Sequence, residues 1–572
     1  MSAFVMNIKG DKGAMNTNPA KRAIHRRGLL GTAACASVLS AAGRLPGFGP
    51  ASTQAANAPV GGGHVLVTFQ SDVATLDPAI GYDWQNWSMI KSLFNGLMGY
   101  KPGTTELIPD LAESFSVSPD GKAYTFKLRS GVKFHNGRTL TAEDVRYSIA
   151  RTVDPKTESP GQSFFSAIEG FDHASAGKSP LTGVRAIDPA TVEVRLAHLD
   201  AAILHKLALN FAFAVPKEAV DQYGKDFGKH PVGTGAFFLK EWVLGQHIIL
   251  QRNRDYFRSG QPLLDAITFQ LGQDPTVALL RFQRGEVDLL GDGVPPAQFV
   301  SVMNNPRWSK DVVVGTQLET SYISLNTRVK PLDDVRVRRA INMAINKERI
   351  VRIINNRAVV ASQPLPPAMP GHDPTYKGYP YNPAAAKKLL AEAGAGNGFS
   401  TALYCMNVDP NPRITQAIQQ DLADINIKAD VRSLAQATVI AAGGTEGEAA
   451  MVWSGGMAWI DDYPDPSDFY YPILGCGGAV KGGWNWAWYC NDKIDAMAKA
   501  ADALVKPSEA TQRTDMWRKI FVDVMADAPW VPVFNEKRYT VHQPSVKAPS
   551  ESILVDPINI PVNYSMIYKT NA

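Results

Sequence analysis

Residues 109–147 read PDLAESFSVSPDGKAYTFKLRSGVKFHNGRTLTAEDVRY, and this stretch decides the predicted fold. Apolar and polar side chains alternate over 114–118 and again over 124–129, which is typical of half-buried strands. The Pro-Asp-Gly sequence at 119–121 predicts a tight turn between them, because proline fixes φ and glycine tolerates a positive φ. The first half of the stretch therefore predicts a β-hairpin.

The second half predicts a short strand and then a helix. The strand, 132–134, is followed by Asn136-Gly137, a dipeptide that favours tight hairpin turns. Thr141 and Asp144 have the spacing of a capping box. We therefore expect a helix to begin at Ala142.

The same residues carry a resemblance to a known family. The pattern P-x-LAESF-x-V-x-x-DGK-x-YTFKLR-x-GVKFHNGR-x-LTAEDV resembles the extracellular solute-binding proteins of family 5, the dipeptide, oligopeptide and nickel receptors of ABC importers. TLDP at 75–78, PVGTGAF at 231–237 and RGEVDL at 284–289 extend the resemblance over most of the chain. It implies an α/β fold, a two-lobed periplasmic binding protein (type II, cluster C-like) with an extra small domain.

The resemblance also implies how the chain is divided. Residues 60–105, 228–320 and 535–572 are expected to form a discontinuous first lobe, and residues 321–534 the second lobe. Residues 106–227 are expected to form the small extra domain. Helix and strand patterns alternate over 333–431, which independently favours an α/β domain there.

Residues 1–58 are interpreted as a twin-arginine signal peptide. Arg26 and Arg27 precede an Ala-rich apolar run, as in signals that export folded proteins to the periplasm. A disordered basic tail is the alternative. The segment holds seven basic side chains and one acidic one, whereas the whole chain has a net charge of +4. The remainder is therefore slightly acidic and gives no electrostatic reason to expect nucleic acid as a partner.

The sequence offers no convincing catalytic motif. Residues 88–91 match S-x-x-K, but no S-D-N or K-T-G follows, and residues 130–133 match equally well. The Gly-Thr-Gly at 233–235 lacks the remaining residues of a nucleotide-binding loop, so a turn is expected. We therefore expect a binding protein without cofactor or metal. A hydrolase of exported peptides remains a remote alternative.

Two cysteines are expected to form a disulfide. Cys476 and Cys490 flank the Gly- and Trp-rich loop 477–489, and in an oxidising periplasm a nearby pair tends to be bridged. The resemblance implies the same, since the family's dipeptide receptors have a bridged pair just after the ligand segment. Cys405 is expected to be a buried thiol.

The segment WSGGMAWIDDYPDP, residues 453–466, is expected to bind the ligand. It resembles the family's W-x-x-D-x-x-DP segment, in which an aspartate accepts the α-amino group of a peptide. The spacing from Trp459 places that role on Asp462, with Asp461 as a competing acceptor and Tyr463 as a further contact. A carboxylate in a drier cleft binds an ammonium more strongly than it does in water. The alternative interpretation is that Asp462 caps a turn that begins at Tyr463.

These observations predict the periplasmic substrate-binding component of an ABC importer. It would capture di- or oligopeptides in an interlobe cleft and deliver them to an inner-membrane permease with its ATPases. The twin-arginine translocase is the expected partner during export, and a monomer is expected. A receptor for nickel, a metallophore or another small solute is the alternative.

Overall fold

The computed structural model describes residues 62–558 and 562–570. Arg26, Arg27 and the whole of the predicted signal peptide, residues 1–58, lie outside these ranges. None of the helices within the described ranges is both long enough and apolar enough to cross a membrane.

Helices and strands are both distributed along the whole of the described chain. The strands are β1 (His64–Thr68), β2 (Met98–Tyr100), β3 (Leu107–Pro109), β4 (Ala112–Val117), β5 (Ala123–Leu128), β6 (Val184–Asp188), β7 (Thr191–Arg195), β8 (Phe237–Val243), β9 (His247–Arg252), β10 (Ala266–Gln270), β11 (Leu289–Leu290), β12 (Val312–Thr316), β13 (Glu319–Leu325), β14 (Ala358–Val360), β15 (Phe399–Met406), β16 (Ile427–Leu434), β17 (Met451–Trp453), β18 (Trp459–Ile460), β19 (Trp530–Val541), β20 (Val546–Lys547) and β21 (Tyr568–Lys569). The α-helices are α1 (Trp84–Leu93), α2 (Ala142–Val153), α3 (Phe171–Ser175), α4 (Ile203–Lys206), α5 (Lys217–Tyr223), α6 (Pro275–Gln283), α7 (Phe299–Met303), α8 (Val335–Ala344), α9 (Lys347–Ile353), α10 (Pro383–Glu392), α11 (Asn411–Ala423), α12 (Gln436–Gly443), α13 (Asp492–Asp502) and α14 (Ala510–Asp527).

A four-stranded sheet contains the stretch from which the fold was predicted. Its order is β4-β5-β7-β6, and β4 pairs antiparallel with β5, so the predicted hairpin is confirmed. The helix predicted to begin at Ala142 is also confirmed, and the Thr141 N–H donates to Asp144 Oδ2 at 2.8 Å. The short strand predicted over 132–134 is reduced to one bridge between Lys133 and Thr139. The local signals therefore predicted this sheet well.

A five-stranded sheet has the order β11-β1-β10-β9-β8 and supports α1. The helix packs into the sheet's core through Met89, Ile90 and Leu93. The Gly235 N–H donates to the Leu93 carbonyl at 2.9 Å, and a Cβ on that glycine would collide with the Leu93 backbone. The glycine at this position of the PVGTGAF motif therefore allows the chain to pass directly against the last turn of α1. This contact is structural, as expected for a turn.

An eight-stranded sheet is connected to the five-stranded one by a long strand. Its order is β12-β19-β13-β17-β15-β16, with β14 paired to β19 and β18 paired to β13. β19 pairs with both β12 and β13, and just beyond its end His542 bridges to Leu289 in β11. The β19 strand therefore runs from one sheet toward the other.

The loop after β18 is fixed by an ion pair on Asp465. The Arg513 guanidinium donates to its two carboxylate oxygens at 2.7 and 2.8 Å, and also to Asp502 Oδ1 at 2.9 Å. Burial by itself raises the pKa of Asp465, but the Arg513 guanidinium outweighs burial and holds the pKa below its usual range. Asp465 also accepts a hydrogen bond from Ser467 N at 3.0 Å and so caps the turn that follows. This carboxylate is structural.

We expect Asp465→Asn to lower the free energy of unfolding by about 3 kcal/mol, because it removes one partner of a buried ion pair. Asp515→Asn is the matched control, since Asp515 pairs with Arg518 on the same helix, α14, and its side chain is 59% exposed. Such surface pairs are worth about 0.2–1 kcal/mol. Urea unfolding followed by tryptophan fluorescence would measure both, and equal losses would contradict a structural role for Asp465.

The structure joins Cys476 and Cys490 in a disulfide and leaves Cys405 as a free, buried thiol. The bridge closes the loop 477–489, whose Trp486 and Trp488 are buried. A ring of about 15 residues stabilises the folded state by roughly 3 kcal/mol in the chain-entropy account.

Thiol counting tests this pairing. A chain that begins at residue 59 and is denatured without reductant should react with one equivalent of a thiol reagent, at Cys405. The same chain with Cys405→Ser should then show none. Three reactive thiols before reduction would contradict the disulfide.

Candidate functional site

A small cavity lies where α1, on the five-stranded sheet, faces the segment after β18, on the eight-stranded sheet. Tyr82, Trp87 and Lys91 line it from the α1 side, and Asp461 and Asp462 line it from the other. Its volume of about 20 Å³ is room for about one water molecule rather than for a ligand. The two sheets are therefore closed upon each other here.

Asp462 forms a hydrogen bond across this cavity. The Tyr82 hydroxyl lies 2.8 Å from both carboxylate oxygens of Asp462 and donates its proton to them. The residue that caps the turn after this loop is Asp465, three positions later. Asp462 therefore faces the cavity, where the alternative interpretation had it capping a turn.

Asp461 and Asp462 line the cavity, and a third buried carboxylate, Asp468, lies beside them. Burial raises the pKa of Asp462 to about 7, although the Tyr82 hydrogen bond acts in the opposite direction. Burial, and then the neighbouring Asp462, raises the pKa of Asp461. Burial and the same two neighbours also raise the pKa of Asp468. A cation brought into this cavity would favour the ionised forms of all three.

Asp468 positions the other carboxylates and links them to Trp459. The Trp459 indole Nε1–H donates to Asp468 Oδ2 at 3.2 Å, and the Asp462 backbone N–H donates to the same oxygen at 3.0 Å. The Trp459 ring also packs edge-on against Trp484. Trp459 thus supports the loop that carries Asp462.

The structure places Tyr463 elsewhere. Its side chain is 4% exposed and packs into the core of the four-stranded sheet. The ring stacks on His205 and lies edge-on to Phe164. It lines a separate groove of about 900 Å³ and not the cavity of Asp462. Tyr463 joins the four-stranded sheet to the loop after β18.

Lys91 is the cation of the cavity, and the sequence analysis did not single it out as a site residue. Burial lowers its pKa to about 8, with Asp556 and Asp461 acting in the opposite direction. A signal was present, because Lys91 is the single charged residue in the helix sequence WQNWSMIKSL. The helix buries its neighbours Met89 and Ile90, so a lone charge beside them points to a partner.

Metal-type ligands cluster at one place in the described ranges. Cys476, Cys490 and Asp492 bring their sulfur and oxygen atoms together there. The two sulfurs are bonded to each other, and a disulfide provides no thiolate to bind a metal.

Comparison with known proteins identifies the family. The sequence profile of the bacterial extracellular solute-binding proteins, family 5 (middle region), matches residues 106–481. The glutathione-binding protein GsiB of Salmonella typhi is 29% identical over 504 residues, which cover 87% of this chain and 94% of that protein. Heme-binding protein A of Haemophilus influenzae is 31% identical over 489 residues, which cover 80% and 84% of the two chains.

A solved structure agrees in fold. DppA of Helicobacter pylori, an ABC transporter-associated periplasmic binding protein in complex with the peptide STSA, has a TM-score of 0.75 and 27% identity. The superposition covers 89% of this chain and 98% of that one. The predicted two-lobed α/β fold is therefore confirmed, and the chain belongs to the bacterial extracellular solute-binding proteins of family 5.

Proposed function

We propose that this protein is the periplasmic receptor of an ABC importer and that it captures peptides by their free amino terminus. The observation that carries the proposal is the buried cluster of Asp461, Asp462 and Asp468. Asp461 and Asp462 line the cavity, and among the described residues that line it Lys91 is the single cation. A peptide ammonium supplies the missing charge and forms charge-assisted hydrogen bonds in a site of low dielectric. The family and the peptide bound in the Helicobacter pylori relative support this reading.

Binding couples to closure of the two lobes. The first lobe comprises 60–105, 228–320 and 535–572, the second 321–534, and 106–227 is the small domain. In the open form the ligand enters and binds Asp462; closure then brings the α1 wall over it. The permease with its ATPases reads the closed form, and no covalent bond is made or broken. The Tyr82 hydroxyl holds Asp462 until the ligand ammonium replaces it.

Asp462→Asn should weaken a peptide with a free amino terminus about 30-fold or more. Removing one partner of a desolvated charge pair costs about 2–5 kcal/mol, and 1.4 kcal/mol is a factor of ten in affinity. The same peptide with an acetylated amino terminus should respond far less, because it has no ammonium to lose. Calorimetric titration of both peptides measures the difference. Asp430→Asn is the control, because Asp430 is an exposed carboxylate in β16. Equal weakening of both peptides by Asp462→Asn would contradict the proposal.

Affinity for such peptides should depend on pH in a bell shape. The pKa of Asp462 is about 7 in the free protein and falls when an ammonium binds, so affinity should rise with pH up to about 7. Above pH 8 affinity should fall again, because the peptide's α-amino group, with a pKa of about 7.7–8.0, loses its proton.

The acidic limb has a direct readout. Titrations at pH 6 in buffers of different ionisation enthalpy should show proton release on binding, and Asp462→Asn should reduce that release. Asp461 and Asp468 lie beside Asp462, Tyr82 donates to it and Lys91 lines the same cavity; the pKa values of Asp461 and Asp468 are raised as well, so part of the release can persist. A flat profile from pH 5.5 to 7 contradicts ammonium capture by these carboxylates.

The proposed location requires export through the twin-arginine translocase. Changing both Arg26 and Arg27 to Lys should leave uncleaved precursor in the cytoplasm, because that route depends on the arginine pair. Cell fractionation and immunoblotting measure the distribution. Unchanged export would indicate another route while leaving the binding proposal intact.

A further inference from the structure

A second cavity, here called the β19 cavity, lies where β19 runs from the eight-stranded sheet toward the five-stranded one. Residues 292–294, which follow β11, line it from one side, and Glu319, Ile460 and residues 536–539 line it from the other. Its volume is about 210 Å³, against about 20 Å³ for the cavity at Asp462. One water molecule needs about 10–15 Å³, so the β19 cavity has room for a small organic molecule.

Arg538 lines the β19 cavity without a full set of partners. Among the described residues its guanidinium makes one hydrogen bond, to the Gly291 carbonyl at 3.5 Å, and no ion pair with a carboxylate. Its Nε is buried and has no acceptor there. A guanidinium has five N–H donors, so most of those on Arg538 remain available to a ligand. Buried polar groups are rarely left unpaired, and in a cavity they indicate what a ligand brings.

Arg357 and Lys537 bring two more cations to the same cavity. Arg357 binds Glu536 at 2.8 Å through one terminal nitrogen, while its buried Nε has no acceptor among the described residues. The planar fork of N–H donors on a guanidinium matches the two oxygens of a carboxylate. The unused donors on two arginines therefore favour a carboxylate as the ligand group.

Three acidic side chains also line the β19 cavity, and their protonation decides its charge. Glu536 is paired with Arg357. Burial, and then the neighbouring Glu536, raises the pKa of Glu319 to about 8, so Glu319 largely keeps its proton at pH 7. Burial raises the pKa of Asp292 to about 6. At pH 7 three cations thus face at most two carboxylates, and the Glu319 carboxyl group is a further donor.

We infer that the β19 cavity is a second binding site of this protein, which holds a carboxylate through Arg538, assisted by Arg357 and Lys537. The carboxylate belongs either to a small free acid or to an acidic side chain of a captured peptide, since both present the same two oxygens. Asp461 and Asp462 do not line this cavity, so the site is separate from the one proposed for the ammonium.

Anion binding at this site should depend on pH. A bound anion makes Asp292 and Glu319 harder to ionise, so binding should take up protons and weaken as the pH rises from 6 to 8. The other titratable groups around the cavity are Arg357 before β14, Glu536, Lys537, Arg538 and Tyr539 on β19, and Tyr564 beside Arg538.

The experiment uses lactate as the probe and its uncharged amide, lactamide, as the control ligand. Each is titrated calorimetrically into the purified protein without peptide, at constant ionic strength, at pH 6 and pH 8. Arg538→Gln removes the cation. Asp292→Asn removes a carboxylate near Arg538 and keeps an acceptor for the Gln70 N–H. Arg254→Gln, at an exposed arginine in the turn after β9, is the matched control.

Lactate, but not lactamide, should bind the wild type and Arg254→Gln, more tightly at pH 6 than at pH 8 and with proton uptake. Arg538→Gln should weaken lactate about tenfold or more, because it removes hydrogen bonds to a charged group. Asp292→Asn should bind lactate more tightly than the wild type at pH 8, because a repelling carboxylate is gone. A purely structural role for these residues predicts no such gain, and this variant also tests the site should Arg538→Gln fold poorly.

Alanine tripeptides with Glu or Gln at position two or three identify the source of the carboxylate. If Glu is preferred over Gln by the wild type but not by Arg538→Gln, an acidic side chain of the ligand occupies the site. If that preference is the same in both proteins while lactate binding depends on Arg538, the site takes a free acid. Lactate bound no better than lactamide, together with a Glu-to-Gln ratio that Arg538→Gln leaves unchanged, would overturn the site. Amino-terminal capture would still stand, because the lactate titration needs no peptide.

Discussion

The structure depends on a surplus of buried negative charge at one end of β18. Asp461, Asp462 and Asp468 lie within eight residues of each other; burial raises the pKa of all three, and Asp462 raises the pKa of the other two further. Carboxylates that lie close together in a medium of low dielectric cannot all be ionised unless a positive charge lies nearby. In this structure the Tyr82 hydroxyl donates to Asp462, and Lys91 lies within electrostatic range of Asp461. Tyr82 and Lys91 both lie on the opposite side of the cavity. Their interactions with the carboxylates therefore favour contact between the two sides.

The aspartates of this short segment differ in pKa because their surroundings differ. Asp465 lies three residues after Asp462, but the Arg513 guanidinium binds both of its oxygens and keeps it ionised. Asp462 has a neutral hydroxyl as its partner, and its pKa rises to about 7. A carboxylate that is fully paired within the protein contributes stability, whereas one that lacks a cation can exchange its weak partner for a ligand. The aspartates of this one segment thus supply both a structural ion pair and a candidate binding group.

Local sequence signals predicted helices and strands, but they did not predict contacts between residues far apart in the chain. The hairpin over β4 and β5 and the capping box of α2 each involve residues a few positions apart, and both are present. The contact between Tyr82 and Asp462 joins residues 380 positions apart, and no pattern around Tyr82 indicates it. Tyr463 shows the converse, because its place in the motif suggested a ligand contact while tertiary packing put it into a core. A motif specifies where the backbone goes, and packing decides which side chains reach the cavity.

The position of Lys91 depends both on a sequence motif and on tertiary packing. The glycines of PVGTGAF are needed because the chain passes against the last turn of α1, and that contact fixes the helix on its sheet. The motif therefore fixes the backbone from which Lys91 reaches the cavity, without specifying the side chain at that position. Met89, Ile90 and Leu93 pack the helix into the core of its sheet, whereas Trp87 and Lys91 line the cavity. Ligand choice in such a protein can change on the surface of α1 facing the cavity, while the residues that make the family recognisable stay the same.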